Sequence, residues 1–158
     1  MPARHPPAAT RRIELEALPG HTIRRLQQIA VALFMQEADA LGTTPVQYAV
    51  LQTLADRPGL DQRTLARAVS FDTSTIGGVV DRLEARGLLT RSLSPDDRRV
   101  RLLHLTRAGE SLVAELVGPM QRAQDRILEP LTATERKTFM RMAQRLIRDR
   151  EDVERSGP

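Results

Sequence analysis

The stretch from residue 62 to residue 101 most constrains what this chain can become. It reads as a short helix, a tight turn, a second helix and a short hairpin, in that order. Residues 64–69 suit a compact first helix, and Ser70-Phe71-Asp72 suits the turn. A second helix is expected over 73–84, with Asp72 placed to accept from the free amides of its first turn. That first turn, Thr73-Ser74-Thr75, is made only of small hydroxyl residues. Small groups at a leading helix end let backbone enter a groove, and hydroxyls both donate to and accept from phosphates and bases. Residues 88–93 and 99–105 predict two strands, joined by the turn Ser94-Pro95-Asp96-Asp97-Arg98-Arg99. The expected class is mainly α with a small β-hairpin wing, a winged helix-turn-helix inserted between dimerisation helices. Such a unit docks on double-stranded DNA.

Several motifs stand in order at set spacing: Leu65-Ala66, then Asp72-Thr73-Ser74-Thr75, then Val80-Asp81-Arg82-Leu83-Glu84-Ala85-Arg86-Gly87-Leu88. After them come Ser94-Pro95-Asp96-Asp97-Arg98-Arg99 and Leu105-Thr106-Arg107-Ala108-Gly109. Across roughly residues 20–150 this series resembles the multiple-antibiotic-resistance regulator (MarR) family. The resemblance implies a homodimeric winged-helix transcription regulator, usually a repressor released by a small, often aromatic and acidic, effector. The segments Leu18-Pro19-Gly20-His21 and Thr43-Thr44-Pro45-Val46-Gln47-Tyr48 are also similar to the family's nicotinate-catabolism repressors. That likeness leans toward a hydroxylated pyridine carboxylate, and so toward aromatic catabolism.

Length and composition agree with a DNA-binding reading. A chain of 158 residues fits one domain, or one half of an intertwined dimer. Formal net charge is +4, and every basic residue except Lys137 is arginine, which suits bidentate phosphate and guanine contacts. With aromatics at 3%, the core must be aliphatic. Cysteine is absent, which excludes disulfides, thiol catalysis and a cysteine-based peroxide switch. No apolar run approaches a membrane span and no signal-peptide core is visible, so a cytoplasmic location is expected.

The chain divides into a flexible arm (1–18), an N-terminal dimerisation helix (19–43), the winged unit (44–105), C-terminal dimerisation helices (106–150) and a frayed tail (151–158). Arg4, Arg11 and Arg12 make the arm either a solvated tail or a DNA contact. In the first long helix, Ile23, Leu26, Ala30, Leu33, Phe34 and Leu41 share a stripe that ends at Gly42. Thr44-Pro45 restarts a helix that Arg57-Pro58-Gly59 stops. Thr106 caps a long helix in which Pro119 is expected to introduce a kink or break near Gly118. Thr132-Ala133-Thr134-Glu135 forms a capping box ahead of a last helix that carries Phe139, Met142, Ala143, Leu146 and Ile147 on one side. These outer helices bear more apolar surface than the winged unit can cover, which calls for a second copy of the chain.

Matching motif positions places Thr73, Ser74, Thr75, Gly77 and Gly78 toward the major groove and Arg82 at a phosphate. Each mid-helix glycine costs about 1 kcal/mol relative to alanine, so each needs a close neighbour, either DNA or the preceding helix. In the wing, Asp97 and Arg99 form the family's Asp-x-Arg pattern, in which a carboxylate holds a guanidinium for the minor groove. Arg98 and Arg101 on the hairpin, and Arg63 on the first short helix, are phosphate candidates.

For the effector, the resemblance points between the first helix, the second helix and the winged unit. There His21, Arg25 and Gln28 share a polar face, with Arg24 close by and Tyr48 on the next helix, a possible cradle for an aromatic carboxylate. The other reading is a solvated face and a core tyrosine. No metal site or cofactor is expected, because His5, His21 and His104 stand far apart. No catalytic residues are expected either, since no phosphate loop, nucleophile elbow or clustered acid-base pair is present. The competing function is a helical dimeric scaffold that uses the winged unit for protein-protein contacts.

Overall fold

The computed structural model describes residues 14–155. The arm arginines Arg4, Arg11 and Arg12 lie outside the described residues. Six helices and a small sheet follow in chain order: α1 (Pro19–Ala38), α2 (Pro45–Asp56), β1 (Leu60–Asp61), α3 (Gln62–Ala68), α4 (Thr73–Ala85), β2 (Leu89–Leu93), β3 (Arg101–Leu105), α5 (Arg107–Ile127) and α6 (Ala133–Arg155).

Most helix ends carry the residues that stop or start them. Within the expected arm, Leu15–Ala17 form a 3-10 turn closed by the Leu18 amide on the Leu15 carbonyl. Leu18 is extended, as a residue before proline must be, and Pro19 opens α1 where its missing amide is not needed. A further 3-10 turn, Asp39–Leu41, ends at Gly42 in the left-handed region (φ 57°). Thr44 and Gln47 cap α2 reciprocally: the Thr44 hydroxyl accepts from the Gln47 amide, and the Gln47 side chain accepts from the Thr44 amide.

The expected hairpin is present as β2 and β3, and a short further strand joins it to make a three-stranded antiparallel sheet in the order β1-β3-β2. In β1 and β3, Leu60 faces Leu103; in β2 and β3, Leu89 faces Leu105 and Leu93 faces Arg101. The extra strand is only two residues long, too short for an alternating pattern to reveal. Gly59 (φ 80°) turns the chain onto the sheet, its amide donating to the Leu103 carbonyl at 2.9 Å.

Thr106 joins the wing to α5. Its amide donates to the Leu88 carbonyl at 3.1 Å and its hydroxyl to the Gly87 carbonyl at 2.6 Å. One turn later a Cβ on Gly109 would lie 2.0 Å from the Leu88 carbonyl oxygen, so only glycine fits. Pro119 does not break α5, which runs on to Ile127. Gly118 before it has no Cβ to clash with the proline ring. Leu116, Met120 and Ala123 are buried on either side of it, and the helix packs along α1 through this face.

The core joins α1, α2, α5 and the winged unit through Phe34, Val50, Leu51, Leu54, Leu65, Ile76, Val80, Leu83, Leu103 and Leu116. Arg122 and Arg126 of α5 both grip Glu37 of α1, at 2.7 and 2.9 Å, holding that carboxylate below its usual pKa chiefly through the Arg122 hydrogen bond. The far ends are uncovered. Ile23, Leu26 and Ile29 of α1 are exposed, as are Phe139, Met142, Leu146 and Ile147 of α6. The final helix continues to Arg155, past the expected tail boundary. Arg145 and Asp149 pair one turn apart on its last described stretch, the kind of contact that prolongs an exposed helix.

Candidate nucleic-acid interface

Helices α3 and α4 are started by the same device. Asp61 accepts from the amides of Arg63 (2.9 Å) and Thr64 (3.0 Å) and from the Thr64 hydroxyl (2.6 Å). Asp72 accepts from the Thr75 amide (2.8 Å) and the Thr75 hydroxyl (2.5 Å). Both carboxylates are held below the ordinary range, first by the threonine hydroxyl and then by backbone amides. Between them Ser70 adopts φ 57°, and the Phe71 amide reaches back to the Ala66 carbonyl at 3.0 Å, closing α3 with a left-handed residue. A serine in that region accepts some strain, which makes this a tight, defined turn.

The register between the two helices is set by Gln62, whose side-chain amide donates to the Thr73 carbonyl at 3.2 Å. A Cβ on Gly77 would stand 3.0 Å from that same amide nitrogen. Gly77 therefore packs against α3, the second of the two neighbours that the sequence left open for it. Gly78 differs: a Cβ there would meet only the Arg82 guanidinium, at 3.5 Å. Ile76, Val79, Val80 and Leu83 bury one face of α4, while Thr73, Ser74, Thr75 and Arg82 are exposed on the other. Arg63 is exposed on α3.

Two acidic residues on α4, Asp81 and Glu84, would repel a phosphate backbone. Both are paired with Arg91 of β2, whose two terminal nitrogens reach one carboxylate each. Arg86, just past α4, donates to the carbonyls of Gly42 and Leu41 and to the Gln47 side chain. Neither arginine, nor Gln62, was singled out in the sequence. Acidic residues three apart on α4 were a visible signal for Arg91, but the partners of Arg86 lie some forty positions away and left none.

At the wing tip, the Ser94 hydroxyl accepts from the amides of Asp96 (3.3 Å) and Asp97 (3.4 Å) and closes the turn. Asp97 accepts from the Arg99 amide at 2.9 Å and from its guanidinium at 3.2 and 3.3 Å. The Arg99 amide is the main reason the Asp97 carboxyl titrates below its usual range. The Arg99 side chain is 91% exposed, so one edge of its guanidinium is held by Asp97 and the rest points to solvent. Arg98 and Arg101 are exposed on the same hairpin.

A recognition helix with an exposed hydroxyl face, its acids neutralised, beside a wing that presents a braced arginine, is a duplex-DNA reader. The comparisons agree. Residues 43–100 match the model of the MarR family. A transcriptional regulatory protein for the hcr operon of Thauera aromatica is 38% identical over 133 residues, covering 82% of this chain and 78% of that protein. The chain belongs to the MarR family. The PcaV regulator of Streptomyces coelicolor, solved with its natural ligand, matches with a TM-score of 0.78 and 40% identity, over 86% of this chain and 96% of that one. BpsR of Bordetella bronchiseptica, solved in a study of how 6-hydroxynicotinic acid regulates its DNA binding, gives 0.81 and 31%, over 85% and 96%. Like other MarR-family members, this protein is a DNA-binding transcriptional regulator and not an enzyme.

The effector candidates are only partly brought together. His21 and Arg25 line a hollow of about 300 Å³ with Glu16, Thr22, Leu26 and Ile29. Arg24 is exposed and donates to the His21 ring at 3.4 Å; Gln28 is exposed. Tyr48 is elsewhere. It packs on Phe34 with ring centroids 5.9 Å apart, and Phe34 follows Arg25 by nine residues, roughly 13 Å along α1. Burial, then nearby Asp56, raises the Tyr48 pKa. The α1-α2 crossing thus uses the tyrosine as core, while the polar face with His21 and Arg25 lies toward the start of α1.

Proposed function

We propose that this regulator is a homodimeric repressor, released from a pseudo-palindromic operator by a small aromatic carboxylate. One observation carries the reading: the hollow with His21 and Arg25 lies on the same uncovered stretch of α1 that bears Ile23, Leu26 and Ile29. A second copy closing over that stretch buries the apolar faces of α1 and α6 and encloses the hollow at the subunit boundary. A ligand there alters the spacing of two recognition helices, which read half-sites about one helical turn (about 10 base pairs) apart. Release requires only that the ligand favour the mismatched dimer; a tenfold effect corresponds to about 1.4 kcal/mol of coupling.

A guanidinium and an imidazole on an apolar wall suit a planar acid through ion pairing and stacking. A hydroxylated pyridine carboxylate is the first choice, since a relative of similar fold has its DNA binding regulated by 6-hydroxynicotinic acid. Glu16 on the same wall favours a ligand that also offers a donor, such as a ring hydroxyl. The test is a gel shift on the gene's own upstream region with a panel of aromatic acids. Arg25→Ala should bind DNA as the parent does and ignore the ligand. A normal response from that variant would move the pocket elsewhere. No shift of any upstream DNA would favour the scaffold reading.

A further inference from the structure

The first two turns of α4 hold an unusual set of groups for a helix that reads base edges. Residues 73–78 are Thr, Ser, Thr, Ile, Gly and Gly, without arginine, lysine, asparagine or glutamine. The common bidentate readers of guanine (Arg, Lys) and of adenine (Asn, Gln) are thus missing from this segment. Arg82 follows Ser74 by eight residues, about 12 Å along the helix, and its guanidinium lies back beside Gly78. What remains exposed is short, and one of the hydroxyls has its role decided.

Thr75 Oγ1 lies 2.5 Å from Asp72 Oδ2, while its amide donates to Oδ1 of the same carboxylate at 2.8 Å. An ionised carboxylate only accepts, so the single hydroxyl hydrogen of Thr75 is directed to Asp72. Exposed Thr75 is left with an acceptor lone pair and a methyl group. Among base pairs in the major groove, A·T offers the match: the adenine 6-amino group donates, and the thymine C5 methyl supplies an apolar surface. In a G·C pair guanine shows only acceptors, which the Thr75 oxygen repels; cytosine does offer an amine donor, but no methyl lies beside it, so only A·T supplies both groups.

We propose that Thr75 makes the recognition helix select an A·T pair, with its methyl against the thymine methyl and its oxygen accepting from the adenine amine. Asp72 contributes by withholding the hydroxyl hydrogen from guanine, and the thymine methyl decides against the cytosine amine. The inference rests on α4 being the DNA-reading helix, as argued above.

The test starts with binding sites selected from random duplexes by the full-length protein. Each thymine of the selected site is then replaced by deoxyuridine, which removes only the methyl. One position per half-site should lose about fourfold in affinity, the worth of one buried methylene-sized group. Thr75→Ser keeps the bond to Asp72 and loses the methyl, so it should be indifferent to that replacement. In Asp72→Asn the side-chain amide can donate to Thr75, freeing its hydrogen; the penalty for G·C at that position should shrink several-fold. A silent deoxyuridine scan, or a full-sized penalty that persists in Thr75→Ser, overturns the proposal while leaving DNA reading intact. Failure to enrich any sequence overturns the DNA-reading assignment, and this inference with it.

Discussion

The guanidinium of Arg86 donates to the carbonyl of Gly42 at 3.0 Å, tying the end of the recognition helix to the exit of the 3-10 turn that follows α1. The same guanidinium reaches the Leu41 carbonyl and the side chain of Gln47, which caps α2. Helix C-termini leave carbonyls unsatisfied, and here one arginine serves the left-handed exit of the 3-10 turn that follows α1. It also means that the helix bearing the proposed effector hollow and the helix that reads DNA share a joint.

Arg86→Ala should therefore lower stability by about 1 kcal/mol, the net worth of a partly exposed charge-assisted contact. Arg86→Lys should recover part of it, since an ammonium lacks the second nitrogen with which the guanidinium reaches the Leu41 carbonyl. Urea melts of the three proteins check this; equal midpoints would make the contact incidental.

Gly109→Ala should cost more, about 2 kcal/mol or above, because the new methyl meets backbone that cannot rotate away. The Leu88 carbonyl it would strike accepts the Thr106 amide at the base of the wing. Gly77→Ala meets only the movable amide of Gln62 and gains helix propensity, so it should be the milder of the two. Thermal melts of both variants rank them.

Arg99→Ala should weaken operator binding and lower the salt dependence of log K by about one unit per wing. The fold should be unaffected, since the Arg99 side chain is 91% exposed. Asp97→Ala removes the brace while leaving the Arg99 cation in place, so it should cost affinity with little change in salt slope. Binding isotherms over a series of salt concentrations separate the two effects.

Phe139→Asp combined with Leu146→Asp should give monomers that no longer bind the full operator. Both residues lie on the exposed apolar face of α6. Sedimentation velocity reads the outcome directly, and an unchanged dimer would place the interface elsewhere.

Acid should unpick the helix caps and the α1-α5 clamp together. Glu37, Asp61, Asp72 and Glu135 all titrate below their ordinary values because each accepts hydrogen bonds in the fold. A carboxyl with a lowered folded-state pKa contributes stability above its unfolded value and loses it as pH falls through the folded one. The urea midpoint should thus owe no loss to these groups from neutrality down to about pH 5 and fall progressively below it. Asp72→Asn, which keeps an acceptor without titrating, should remove part of that fall.

Much of this protein was legible without coordinates because its signals are local. A cap lies within three residues of the amides it serves, so Thr44, Asp72, Thr106 and Thr132 announced the starts of four helices. The wing arginine is braced by a carboxylate two positions before it, and that contact was visible in the spacing. Tertiary structure decided whatever depends on neighbours distant in sequence. It set Gly77 against Gln62, gave Arg91 and Arg86 their partners, added a two-residue strand to the wing, and carried α5 through Pro119 on the packing of Leu116 and Met120. It also parted Tyr48 from Arg25, because packing against Phe34 fixes the tyrosine about two and a half turns down α1. Local hydrogen bonds are written in adjacent residues; contacts between elements exist only once the core has set how those elements cross.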